Sequence, residues 1–222
     1  QLVVVGVVAA RPLLPSFLFR ALESEGPEPL PWDAARTFAV GEHARARGVD
    51  APARLVSSAK SWLSHRTVDR RAGVLPLGAP DDVERISPVE PSWRSLEPLV
   101  EAFEHAGLGA LGGEEVSVTV PASFDAAARD LTVEAALAAG PERVTLLEEP
   151  QAALYAWLAS RGDAWRKRPG AAVDEGTLEV GDVVLVLDVG GGTTVLSAIS
   201  VVERDGTLEL VRLAVGDHIL LG

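Results

Sequence analysis

Val183-Val184-Leu185-Val186-Leu187-Asp188-Val189-Gly190-Gly191-Gly192-Thr193-Thr194 is a β-branched and leucine-rich run that ends in a carboxylate and breaks into three consecutive glycines. The apolar part predicts a buried strand over residues 183–188 that delivers Asp188 at its end. The glycines let the backbone take positive φ and turn several N–H groups toward one anion, which suits a phosphate. No Gly-Lys-Ser/Thr follows, so this is not a Walker A loop. It is not a dinucleotide fingerprint either, because Val195-Leu196-Ser197-Ala198-Ile199 continues as strand over residues 195–202 where that fingerprint needs a helix. A glycine-rich hairpin turn after a core strand accounts for the same residues equally well.

Upstream lies Leu146-Leu147-Glu148-Glu149-Pro150-Gln151-Ala152-Ala153, a strand ending in paired carboxylates directly before a helix over residues 150–158. Pro150 falls in the first turn, where its missing N–H would be unpaired anyway. Carboxylates at such a strand end can hold Mg²⁺ through water and position a nucleophilic water. The alternative is that they stabilise the helix N-terminus through its dipole, and for Glu148 this reading is preferred. Further upstream, Val118-Thr119-Val120-Pro121-Ala122-Ser123-Phe124-Asp125 takes a strand through a proline into a helix that carries Arg129 and stops at Gly140-Pro141. By itself this is an ordinary strand-to-helix connection, with Asp125 as its cap.

Other strands are expected at residues 2–8, 16–19, 37–40, 115–120, 143–147 and 208–213, and weaker helices at 96–106 and 42–47. The order strand, helix, strand, helix, strand, hairpin across residues 115–213 indicates an α/β layer architecture. Two polar stretches rich in Pro and Gly, 23–33 and 166–182, read as loops or mobile inserts.

The chain has 222 residues, enough for one or two domains with a genuine core. Cys is absent, which excludes disulfide scaffolds, thiolate zinc sites and thiol nucleophiles; any metal must sit on oxygen or imidazole. A formal charge of −12 argues against nucleic acid or an anionic membrane surface as the main partner. His43, His65, His105 and His218 lack metal-ligand spacing, and the five tryptophans are not interleaved with basic residues, so structural roles are expected for both. Lys60 is one of two lysines, the other being Lys167, in a chain that otherwise uses Arg. A retained lysine suits a task for a compact, mobile ammonium, although solvated surface lysines are the commoner case. Met is absent and both ends look like mid-element cuts, so a piece of a longer protein is expected.

Taken in order, Val118-Thr119-Val120-Pro121-Ala122-Ser123-Phe124, Arg129, Leu147-Glu148-Glu149-Pro150-Gln151-Ala152-Ala153, Leu187-Asp188-Val189-Gly190-Gly191-Gly192-Thr193 and Gly216-Asp217-His218-Ile219-Leu220-Leu221-Gly222 resemble the nucleotide-binding domain of 70-kDa heat-shock (DnaK-type) chaperones. Looser matches precede these at Leu14-Pro15-Ser16-Phe17-Leu18-Phe19, Phe38-Ala39-Val40-Gly41-Glu42-His43-Ala44 and Ser58-Ala59-Lys60, while residues 61–114 match poorly. The resemblance points to a divergent bacterial branch.

The resemblance implies a partial nucleotide-binding domain of the actin-like ATPase (ribonuclease H-like) fold. Residues 1–165 would form lobe I, with an insert-bearing subdomain at about 23–114; 166–182 would be a linker or insert, and 183–222 the start of lobe II. It implies ATP or ADP with Mg²⁺, and potassium assisting hydrolysis to ADP and phosphate. Lys60 would lie against the γ-phosphate and attacking water, Glu149 would hold the magnesium hydration shell, and Asp188 would join the same water network. Gly190, Gly191, Gly192 and Thr193 would form the second phosphate loop. Pro121 and Arg129 would match the interlobe relay. Client polypeptides and co-chaperones would be partners of the whole protein in the cytoplasm, with no nucleic acid or membrane involved. Two departures accompany the match. The first phosphate loop and the later adenosine-binding region are absent from the sequence, and Val195 stands where the family places an Asp. A nucleotide sensor or scaffold of the same fold without efficient hydrolysis is the alternative, and an actin-like sugar or acetate kinase ranks third.

Overall fold

The computed structural model describes residues 13–65, 67–162, 177–190, 193–216 and 219–220. The strand expected at 2–8 lies outside the described residues, as do Gly191, Gly192, most of the 166–182 segment, Asp217, His218, Leu221, Gly222 and the side chain of Thr193. The chain forms two compact units. Among described residues, the first runs to Ser117 and takes in Ala126–Thr145; the second holds Val118–Asp125 and everything from Leu146 onward.

In the first unit β1 (Phe17–Arg20) is the middle strand of an antiparallel sheet, flanked by β2 (Phe38–Val40) and β3 (Leu55–Ser57). Leu18 is opposite Val40 and Val56, and Phe19 is opposite Ala39 and Leu55, so neighbouring residues of one short strand feed opposite faces. Leu18 packs with Phe38, Val56, Leu75 and Ile86, while Phe19 packs with Ala39 and with Ala44 of α1 (Gly41–Asp50). Both faces are therefore covered. The guanidinium groups of Arg47 and Arg54 lie 4.9 and 4.8 Å from the Phe19 ring centre. Gly48 lets α1 approach β3: a Cβ there would fall 2.5 Å from Leu55 Cδ2 and 2.9 Å from its Cβ.

The polar stretch 23–33 is stitched down by ion pairs. Glu25 bonds to Arg54, and Glu28 lies 2.9 Å from Arg47 Nε and 2.7 Å from His43 Nε2. Trp32 donates its indole N–H to Glu101 at 2.8 Å, and the buried Arg36 pairs with Asp33, Glu97 and Glu101. Of the two alternatives for this stretch, loop or mobile insert, the structure shows an anchored loop, whose charged partners lie up to 69 positions away.

α2 (Ala59–Leu63) carries Lys60 and was not expected from the sequence, nor was β3; at five and three residues both are too short for a periodic signal. α3 (Val89–His105) begins seven residues before the helix expected at 96–106. Pro91 obscures that start although it sits in the first turn, where no N–H is needed; Pro98, inside the expected range, is tolerated in the interior, fully buried. α4 (Ala126–Ala138) packs on α3 through Ala128, Leu131, Thr132, Ala135 and Ala136, one stripe at helical spacing.

β4 (Glu115–Val120) and β5 (Arg143–Glu148) pair as a two-stranded sheet at the residues the alternation marks. In the second unit α5 (Glu149–Arg161) follows β5. β6 (Val183–Val189), β7 (Thr193–Arg204) and β8 (Thr207–Val215) form an antiparallel meander, and β9 (Ile219–Leu220) adds to the start of β7. Asp205 and Gly206 both have positive φ, +51° and +77°, which makes the β7–β8 connection a two-residue turn of the I′ kind that suits Asp-Gly.

Val195, Ser197, Ile199 and Val201 of β7 are all buried, and the register puts Asp188, Val186 and Val184 of β6 on that same face. The alternate β6 residues are exposed, Leu185 by 69%. The buried strand expected at 183–188 is therefore covered on one face only. Its physical reason is position: among the described residues β6 has β7 as its strand partner and packs against α5, with nothing on the face of Leu185.

Candidate functional site

The second unit brings three of the sequence motifs into one folded body. β4 ends at the buried Pro121, where Phe124 N–H closes a turn on the Pro121 carbonyl at 3.1 Å, and Ala122 and Phe124 are buried behind it. β5 ends at Glu148, whose extended backbone (φ −71°, ψ 135°) is the N-cap of α5, so Glu149 becomes the first helical residue and Pro150 the second. Glu149 is half-buried. β6 ends at Asp188 and Val189, and Val189 pairs with Thr194 of β7.

Asp188 is half-buried and directly opposite Val195, which is 4% exposed. The start of β7 is held from its other side by β9 and by Gly216, whose N–H donates to the Leu196 carbonyl at 2.9 Å. α5 packs on β6, so the helix that opens with Glu149 and the strand that closes with Asp188 are adjoining layers.

Glu148 does not serve α5 as a side-chain cap. Its carboxylate, only 13% exposed, stands at the N-terminal end of α5 and pairs with Arg212 of β8. Arg212 Nη1 also donates to the Ala122 carbonyl at 3.2 Å, and Gln151 Nε2 donates to the Leu210 carbonyl at 3.4 Å. Neither Arg212 nor the Gln151 bond was picked out from sequence. An arginine inside Leu208-Glu209-Leu210-Val211-Arg212-Leu213 reads as one more outward polar residue of an alternating strand.

Lys60 and Arg129 belong to the first unit. Lys60 is exposed on α2, behind Ser58, whose φ of +55° is a conformation that non-glycine residues rarely take. Arg129 is half-buried on α4. Gly190 directly follows β6; Gly191, Gly192 and the Thr193 side chain lie outside the described residues. His43, His105 and Trp32 have the structural contacts expected of them, His43 with Glu28 and His105 with Trp32 at 5.0 Å between ring centres.

Among the described residues no three His, Asp or Glu side chains gather to hold a metal directly. Glu149 and Asp188 are half-buried carboxylates, the donor type of which a hydrated Mg²⁺ takes one or two together with phosphate oxygens. No helix among the described residues is long and apolar enough to cross a membrane.

A family model described as Hsp70 protein matches residues 83–222. The chain is 32% identical over 179 residues to Chaperone protein HscA of Cronobacter sakazakii, covering 74% of this chain and 26% of that protein. It is 32% identical over 195 residues to a Chaperone protein HscA homolog of Shewanella woodyi, covering 82% and 28%. It is also 32% identical over 204 residues to Heat shock 70 kDa protein BIP3 of Oryza sativa subsp. japonica, covering 82% and 27%. The chain spans about a quarter of the length of the curated relatives it matches. A mixed α/β body that carries the Pro121 turn, the Glu149 helix start and the Asp188 hairpin, matched over residues 83–222, belongs to the Hsp70 family.

Proposed function

We propose that the chain is part of the nucleotide-binding domain of a chaperone ATPase with the actin-like (ribonuclease H-like) fold, which binds Mg-ATP and couples its hydrolysis to polypeptide binding. The observation that carries this reading is that α5, which opens at Glu149, packs on β6, whose last two residues are Asp188 and Val189 ahead of the glycines. Glu149 and Asp188 hold the hydration shell of Mg²⁺, which neutralises charge on the transferring phosphoryl group when bound. The N–H groups of 190–193 cradle phosphate oxygens, and Lys60 supplies a cation at the γ-phosphate. Potassium assists at the same site. Pro121 and Arg129 relay nucleotide state between lobes, which the resemblance assigns to 1–165 and 183–222 with 166–182 between them. The whole protein engages client polypeptides and co-chaperones in the cytoplasm.

Isothermal calorimetry of Mg-ADP and Mg-ATP against this chain and against the full-length protein that carries it tests the proposal. Binding by the full-length protein is expected. An absence of binding heat in both overturns it.

A second reading, a nucleotide sensor with slow turnover, is favoured by one observation: the position opposite Asp188 is a buried valine. Tight nucleotide binding without measurable phosphate release would select it.

A further inference from the structure

We propose that Arg212 is a positioning residue for Glu149, tying the strand end that presents this carboxylate to the turn after Pro121 and to β8. This rests on the nucleotide reading of Glu149 given above. Glu149 itself is bracketed. The residue before it, Glu148, gives its carboxylate to Arg212, and Gln151, two residues after it, donates to the Leu210 carbonyl at 3.4 Å. Both partners lie on β8, and the same Arg212 nitrogen donates to the Ala122 carbonyl at 3.2 Å. One guanidinium thus joins three chain segments whose ends carry Pro121, Glu149 and the meander that bears Asp188.

Glu148 makes no side-chain hydrogen bond that caps α5, and its carboxylate is turned to Arg212 instead. A carboxylate only 13% exposed must have a counter-charge, and Arg212 supplies it from 64 positions away. Phosphoryl transfer depends almost wholly on positioning and charge stabilisation, so a small rotation where β5 meets α5 displaces the carboxylate that the reaction needs.

The test uses R212M, R212K, E148Q and the double variant E148Q/R212M in the full-length protein. R212M is expected to lower kcat on the order of ten- to a hundredfold, with KM for Mg-ATP changed by less than about twofold. R212K should recover most of the rate, because an ammonium keeps the charge and has donors for both acceptors. In E148Q/R212M no buried charge is left without a partner, so the fold is retained while the tie to Ala122 and Glu148 is still missing. That variant should remain slow. Wild-type turnover in it would mean that Arg212 merely neutralises Glu148, and overturns the proposal.

Hydrogen exchange gives a readout that needs no nucleotide. Amides in the first turn of α5 and in the turn after Pro121 should exchange faster in R212M and in the double variant, and normally in R212K. Unchanged exchange overturns the tie. Faster exchange in a protein whose wild type binds no nucleotide overturns the assignment of Glu149 and leaves the tie standing.

Discussion

Asp188 and Val195 are a directly opposed cross-strand pair on the buried face of the β6–β7 ladder. Side chains so placed have Cβ atoms about 4.5–5.5 Å apart, close enough for two carboxylates at these positions to share one ion and its waters. Like charges directly opposite each other destabilise a ladder. Valine spares the sheet that repulsion and, in the nucleotide reading, removes one acidic group from the water network beside Asp188.

Val195→Asp is therefore expected to act in two directions. Turnover of Mg-ATP by the full-length protein should rise on the order of tenfold or more. Unfolding free energy should fall by about 1–3 kcal/mol, because a carboxylate enters a site that is 4% exposed beside another carboxylate. Steady-state phosphate release and urea unfolding measure the two effects. A loss of stability without a gain in rate would place the cause of slow turnover elsewhere than residue 195.

Glu25 anchors the 23–33 loop as a carboxylate, and acid releases it. Its carboxyl is drawn from 4.5 to about 2, first by the hydrogen bond from Arg54 and then by the Leu22 N–H. A folded value below the unfolded one gives stability that is fully present above about 4.5 and disappears as pH falls toward 2. The NMR titration midpoint of the Glu25 carboxyl should lie near 2, and Arg54→Met should return it toward 4.5.

Glu97 has the opposite sign. Burial raises its carboxyl first and Glu101 adds to this, against the pull of Arg36 and Arg94. A raised folded value favours the folded state at low pH, and this contribution is lost as pH rises through the folded value. Glu97→Gln should leave Arg36 its Asp33 and Glu101 partners, raise Tm relative to wild type at neutral pH, and lose that difference in acid. A lower Tm for Glu97→Gln at neutral pH would show that the Arg36 pair outweighs burial.

Gly48→Ala should destabilise the first unit. The added methyl meets Leu55 at its Cβ as well as its Cδ atoms, so rotation of the leucine end does not relieve the clash. Overpacking of this kind costs about 1–3 kcal/mol, against a helix-propensity gain of about 1 kcal/mol for alanine. Chemical denaturation should show a net loss, and Leu55→Ala added to Gly48→Ala should recover part of the clash term.

Ser197 is 1% exposed, and its hydroxyl has no hydrogen-bond partner among the described residues. Ser197→Ala removes that unpaired group from the buried face of β7. Its expected effect is neutral to stabilising by about 1 kcal/mol, read by urea unfolding. A clear loss of stability would mean that the hydroxyl has a partner.

Elements whose causes are local were legible in the amino-acid order. β4 over Glu115–Val120 matches its alternation residue for residue, and α4 and α5 begin where an Asp or Pro stands beside an apolar periodic run. The candidate positions were legible where backbone chemistry marks them: a carboxylate at the end of β6 before three glycines, and Glu149 at the start of α5. α2 and β3 were missed for lack of length, and the first turns of α3 because Pro91 reads as a breaker although it falls where no N–H is needed.

What no local pattern contains is which distant side chain answers a charge. Arg212 to Glu148, Trp32 to Glu101 and Arg54 to Glu25 join residues 64, 69 and 29 positions apart, and nothing within a helical turn or a strand repeat of either partner specifies the other. Likewise, alternation says that β6 has two faces, but only the register against β7 says that Asp188 lies on the buried one, opposite Val195. Periodicity of 2 or 3.6 residues reports the direction a side chain points; which face is covered, and by which partner, follows from burial shared among segments far apart in the chain.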